Sequence, residues 1–224
     1  MLGHGDEVGG QMHGMAPGGT QSGSRAAGGD AELVIQHVDQ SARRRQIARV
    51  VARLWASSGS HGCTIRAVAK EIGASATVVT NAFGTSAAML EYTLTWLLDS
   101  WEEAGDALLA RDAPPAVRLK EFLAHQCPFE ESGVEQARIW LDAIAPHVRP
   151  AWSSAAFARY DAWLTDRVMR LLAECGADRS YAPVLLVTVF GLNAAAIQSP
   201  EAWPPARLNG TLDDALQAVL GVAG

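Results

Sequence analysis

The chain has 224 residues, 49% hydrophobic and 19% charged. That is enough apolar material for a core, with room for one large domain or a small one joined to a medium one. No run approaches eighteen consecutive apolar residues, and the N-terminus lacks the charged-then-apolar layout of a signal peptide, which argues against a membrane span and for a cytoplasmic protein. Cys63, Cys127 and Cys175 are scattered and odd in number. They have neither the CxxC spacing of a zinc site nor the look of a disulfide framework, so no metal and no cofactor are expected. The net charge is −6, yet residues 41–90 carry Arg43, Arg44, Arg45, Arg49, Arg53, Arg66 and Lys70 against the single acid Glu71. That segment is +6 and the remainder −12, the electrostatic layout of a DNA-binding module on an acidic body. A solvated, arginine-rich helix face is the plainer explanation of the same charges.

Residues 1–30 are rich in Gly, Ser, Gln and Ala, with almost no large apolar groups. Such a segment buries too little to offset its ordering entropy, so a disordered leader is expected, extended here to residue 40. His4 and His13 within it are read as solvated. A helix follows from Ser41, a plausible N-cap, with Ile47, Val50, Val51, Leu54 and Trp55 in one apolar stripe. The run Ser57–Gly62 stops it. Thr64 caps a second helix that buries Ile65, Val68, Ala69 and Ile72, and Gly73 ends it. Ser75 caps a third, carrying Val78, Val79 and Phe83, which Gly84 closes. Two short helices joined by a glycine turn, with a first helix behind them, make the helix-turn-helix layout.

The remainder reads as helices throughout. The fourth, about 87–110, begins at Thr85 or Ser86 and shows two apolar faces, as a helix joining two domains would. Others are expected at about 116–127, 133–146, 153–175, 182–198 and 211–221. The 182–198 segment is apolar nearly all round, which implies burial on every side. The fold class expected is therefore all-α: a three-helix head at 41–88 joined by a long helix to a ligand-binding and dimerisation domain at 89–224. An enzyme finds no support. His125, His147, Asp142, Glu130, Glu131 and Cys127 show no nucleophile–base spacing and no metal-ligand motif.

From Thr64 to Leu90 the sequence resembles the TetR family of transcriptional regulators. Thr64, the Val68-Ala69 pair, Gly73-Ala74-Ser75 and Phe83-Gly84 fall at that family's intervals. Arg138-Ile139-Trp140, Tyr160 with Trp163, and Gly191 with the Pro200–Trp203 tail more faintly resemble the branch holding the choline-responsive repressor of betaine synthesis. The resemblance implies a homodimer paired through the helices near 153–175 and 182–198, packed as a four-helix bundle. It implies recognition helices, here Ala76–Ala82, entering successive major grooves about 34–36 Å apart on a palindromic operator. The candidate DNA contacts are Arg43, Arg44, Arg45, Thr64, Arg66, Ser75, Thr77, Thr80 and Asn81. Of these Thr77, Thr80 and Asn81 suit base edges, although each is equally well a cap or a solvated polar residue.

A small-molecule effector, apolar or aromatic, is expected among Trp96, Trp101, Phe122, Trp140, Trp152 and Phe157. Most buried aromatics are core, but a cage of them would also suit a quaternary ammonium. The implied function is a ligand-responsive regulator, a repressor released from its operator by that effector. The sequence departs from the family pattern where Tyr or His near 80–82 and Lys at 86 usually meet phosphate; here stand Thr80, Asn81, Ala82 and Ser86. The alternative is thus a helical ligand-binding or interaction protein of the same fold whose DNA binding is weakened or lost.

Overall fold

The computed structural model describes the backbone of residues 26–145 and 151–221 and the side chains of 40–145 and 153–221. The leader expected over 1–25, His147 and the Trp152 side chain lie outside the described residues. Among those described there is no strand. In chain order the helices are α1 (Ala26–Gly62), α2 (Ile65–Glu71), α3 (Ala76–Phe83), α4 (Ser86–Leu109), α5 (Pro115–His125), α6 (Glu131–Ile144), α7 (Ala151–Glu174), α8 (Ala182–Gln198) and α9 (Pro205–Gly221), with a short 3-10 turn at Arg179–Tyr181. The chain divides into two units, Met1–Asp39 and Gln40–Gly224. In the first, residues 26–39 are helical backbone; all the packing below belongs to the second.

The elements start and stop largely where local chemistry directs. Thr64 caps α2 by accepting the Ala67 N–H at 3.1 Å, and Thr85 caps α4 by accepting that of Ala88 at 3.1 Å. Gly73 leaves α2 with φ +65, a left-handed conformation that costs glycine little. Two boundaries differ from the sequence reading. Helix α1 begins at Ala26 rather than Ser41, because Ala26, Ala27, Ala31, Glu32 and Leu33 are strong helix formers and carry it back through part of the expected leader. Helix α9 begins at Pro205 rather than near 211, since proline suits the first turn, where its missing N–H is not needed.

The head has an aliphatic core. Ile47, Val51, Val68, Ala69, Val79 and Met89 are buried, with Trp55 the large side chain among them. In the body, α4 and α5 pack on α7, α6 on α8, and α8 on α9. Phe122, Leu119, Leu123, Leu164, Leu172, Leu185 and Leu212 are fully buried there. The expectation that α8 is buried on every side is corrected. Leu185, Leu186, Val189 and Leu192 face inward, but Val184 is 52% and Val187 67% exposed, because a helix at the surface of a single chain can turn only part of its circumference to its neighbours. The segment Arg179–Gln198 is long and apolar enough to cross a membrane by length and composition, with mean hydropathy 1.7. Its inward face, however, packs on α6, α7 and α9, and its Asn193 side chain donates to the carbonyls of Gln126 and Val189 at 2.8 and 3.0 Å.

Candidate functional site

The head presents α3 outward. Val79 is buried, while Ser75, Thr77, Thr80 and Asn81 are exposed, together with Thr64 and Arg66 of α2 and Arg43 and Arg45 of α1. Three details qualify the residue-by-residue expectation. Thr64 is occupied as a cap, and its hydroxyl already accepts one N–H. Ser75 stands at the N-cap position of α3 without a side-chain cap bond. Arg44 is exposed, with one of its donors engaged by the head itself. Its Nε donates to the Ala82 carbonyl at 2.8 Å, and its guanidinium lies 5.9 Å from the centre of the Phe83 ring. It therefore staples α1 to the end of α3 and satisfies a carbonyl that has no partner within its own helix. A cleft of about 80 Å³ opens there, lined by Gln40, Arg43, Arg44, Val78, Asn81 and Ala82.

Within the body, six rings converge from four helices. Trp140 of α6 meets Phe157 edge-on at 4.8 Å, stacks with Phe190 at 5.8 Å and leans on Tyr160 at 5.6 Å. Tyr160 in turn contacts Trp101 at 6.0 Å and Trp163 at 5.4 Å. Four of them, Trp101, Trp140, Tyr160 and Phe190, line a cavity of about 30 Å³ together with Gln126 and Asn193. That space holds a water or two. The Tyr160 hydroxyl donates to Gln126 Oε1 at 2.8 Å. Burial, reinforced by the charge of Glu102, pushes the Tyr160 phenol well above its usual range, so it is held as a neutral donor. Gln126 Nε2 is buried without a partner in the protein and remains a free donor at the cavity wall. Burial raises Glu102 above the ordinary carboxylate range, while Arg159 at 3.2 Å pulls the other way.

Of the expected ligand contacts, Trp101 and Trp140 line this cavity. Phe157 stands behind Trp140. Phe122 is not a wall: it is fully buried against Trp163 at 5.5 Å, because α5 turns it toward α4 and α7 rather than toward α8. Trp96 is half-buried against the core and likewise not among the walls. The sequence reading missed Gln126, Tyr160, Phe190 and Asn193 as walls; Tyr160 and Trp163 at helical spacing were the available signal. A larger groove of about 380 Å³ runs between the end of α4, α5 and the start of α6. Of its charged groups, Arg111 and Glu121 pair with each other at 2.8 Å, and Glu130 also lines it. Its His125, lowered in pKa by burial, has an unpartnered Nε2. The aromatic cavity is the better candidate because its few polar groups, Gln126 and Asn193 among them, converge on a space walled mainly by rings and aliphatic side chains.

No protein-family model matches the chain. Among curated proteins it is similar to the HTH-type transcriptional regulator PksA of Bacillus subtilis, 24% identical over 122 residues. That match covers 54% of this chain and 60% of the relative, so the chain spans about three-fifths of the relative's length. Among solved structures it is similar to a transcriptional regulator from Rhodococcus sp. Rha1, with TM-score 0.74 and 24% identity over 80% of this chain and 96% of that one. A transcriptional regulator from Saccharomonospora viridis in complex with choline matches with TM-score 0.68 and 21% identity over 79% and 96%. A TetR transcription regulator from Haloarcula marismortui matches with TM-score 0.69 and 17% identity over 80% and 97%. The chain has the all-α fold of the TetR-type transcriptional regulators.

Proposed function

We propose that the protein is a cytoplasmic, DNA-binding transcriptional regulator that responds to a small molecule held in the aromatic cavity. The observation that carries this reading is the pairing of a compact head, with polar α3 outward and arginines beside it, with a body whose rings enclose a cavity. Thr77, Thr80 and Asn81 would read base edges. Arg43, Arg45 and Arg66 would meet phosphate and set the salt dependence. Fluorescence anisotropy with the DNA flanking the gene, against a scrambled duplex at two salt concentrations, tests this. Tighter, salt-sensitive binding to the flanking DNA supports it, and equal binding to both duplexes counts against it. The second reading, a sensor with weakened DNA binding, is favoured by two observations: Arg44 Nε is engaged by the Ala82 carbonyl, and α3 itself carries no basic residue.

The effector class best suited to the cavity is a compact cation or flat apolar molecule bearing a hydrogen-bond acceptor. Rings attract a cation through their faces, Glu102 adds a nearby carboxylate, and Gln126 Nε2 offers a donor. The choline-bound relative of the same fold lends support. A choline titration followed by tryptophan fluorescence is the first trial. The homodimer would form through α7 and α8, where Val184, Val187 and Met169 of 37% exposure offer apolar surface. Light scattering of the Val187→Glu variant, expected to shift dimer to monomer, checks it. A repressor's release would follow if the effector favours a dimer whose recognition helices no longer match the operator.

A further inference from the structure

We infer that Asp142 is the latch through which the cavity wall controls the head, an inference that rests on the regulator reading above. Helix α6 serves both regions. Its Trp140 lines the cavity, and two residues on, Asp142 accepts the Trp55 indole N–H at 2.7 Å and the Ser60 backbone N–H at 3.0 Å. Both donors belong to α1, the first helix of the head. Between them α1 breaks at Gly59, with φ 70 and ψ 172, a region open essentially to glycine alone. A Cβ at Gly59 would stand 3.3 Å from Asp142 Oδ1, so the same glycine that permits the break also permits the close approach. The carboxylate takes the N–H that follows the break and the indole N–H of Trp55, a large side chain buried in the head core.

The cavity explains why this link would carry a signal rather than only hold two parts together. At about 30 Å³ it admits nothing larger than water until a wall moves. On α7 the walls Tyr160 and Leu164 are buried, as are Val189 and Asn193 of α8. Trp140 and Phe190 are half-buried and stack on each other, and of these two Trp140 rides on the helix that carries Asp142. At 1.5 Å of rise per residue the two lie about 3 Å apart along the axis, so α6 passes a displacement of one to the other. Hydrogen bonds weaken steeply with distance and angle, so a small shift of α6 loosens both bonds to α1. A ligand acts on the head only through its preference for one of these arrangements.

The test is a double-substitution cycle on the full chain, read by amide hydrogen exchange over residues 64–83. Those residues include neither Trp140 nor Asp142, and the readout needs neither DNA nor effector. Trp140→Leu stands in for a displaced wall, with Ala137→Val, a change in the same wall of α6, as a second perturbation should the first fail to fold. The wall change should speed exchange in the head by about fivefold or more, the low end of ordinary coupling between sites. In the Asp142→Ala background that factor should vanish. Trp55→Phe, which keeps an aromatic side chain but loses the donor together with part of the indole's buried volume, should reproduce part of the loss. An unchanged head in the wall variants would overturn the latch, as would the same factor in both backgrounds. Absence of DNA binding in the anisotropy experiment would strike the regulator reading while leaving this cycle readable.

Discussion

In the head, several helix ends are set by residues within a turn of them: Thr64 starts α2, Gly73 stops it, and Thr85 starts α4. The body is assembled by partners far apart in sequence. Tyr160 bonds Gln126 across 34 residues, and Asn193 reaches the Gln126 carbonyl across 67. Both cores are mainly aliphatic, but the body adds a cluster of rings around Trp140 and Tyr160. Caps and tight turns give the small head a fixed shape cheaply. The body's cavity is a space that many elements share, its walls coming from α4, α6, α7 and α8 and from Gln126 just past α5.

That contrast implies that side-chain deletions in the body cost far more than cap deletions in the head. The largest effect is expected for Phe122→Ala. Phe122 is fully buried against Trp163, and truncating such a ring costs about 3–5 kcal/mol. Urea unfolding should show it as a lower midpoint; a loss below about 1 kcal/mol would mean that the body closes over the gap as few cores do. Next comes Gly105→Ala. A Cβ there would lie 2.7 Å from Trp163 Cη2 and 3.0 Å from Phe122, and overpacking of this kind costs about 1–3 kcal/mol. Because Trp163 must move, its fluorescence should shift along with the midpoint. A silent spectrum with unchanged stability would show that the rings have slack the packing does not suggest.

How far each region was legible in the sequence follows the same division. Thr64, Gly73 and Gly84 could be read directly, and the start of α4 narrowed to Thr85 or Ser86, because capping and left-handed turns depend on neighbours a few residues away. The body's helices were legible too, since periodicity is local. The cavity was only half legible. Trp101 and Trp140 were picked out as large aromatics, but so was Phe122, and nothing in its sequence neighbourhood tells that α5 turns it away from the cavity. Gln126 and Asn193 look like ordinary polar helix residues until α5 and α8 meet. Asp142 passed for a stray acid because its partners Trp55 and Ser60 lie 87 and 82 residues away. The exposure of α8 at Val184 and Val187 was hidden for the opposite reason: an apolar face reads the same whether it meets its own chain or another.

The smallest predicted effects sharpen the comparison inside the head itself. Thr64 and Ser75 occupy equivalent places, each just before a short helix and each extended in backbone. Their chemistry differs. Thr64 accepts the Ala67 N–H at 3.1 Å, whereas Ser75 makes no side-chain cap bond. Thr64→Ala should therefore cost about 1 kcal/mol, the usual loss when a capping hydroxyl is removed. Ser75→Ala should fall within about 0.5 kcal/mol of no change, as for a surface substitution away from any special feature. Thermal unfolding of the two variants side by side decides the matter. Equal losses would mean that Ser75 caps α3 in solution, and the head would then be started by local chemistry at every helix. Unequal losses would leave α3 held by Val79 in the core and by Arg44 at its far end, with the Ser75 hydroxyl free to face a phosphate.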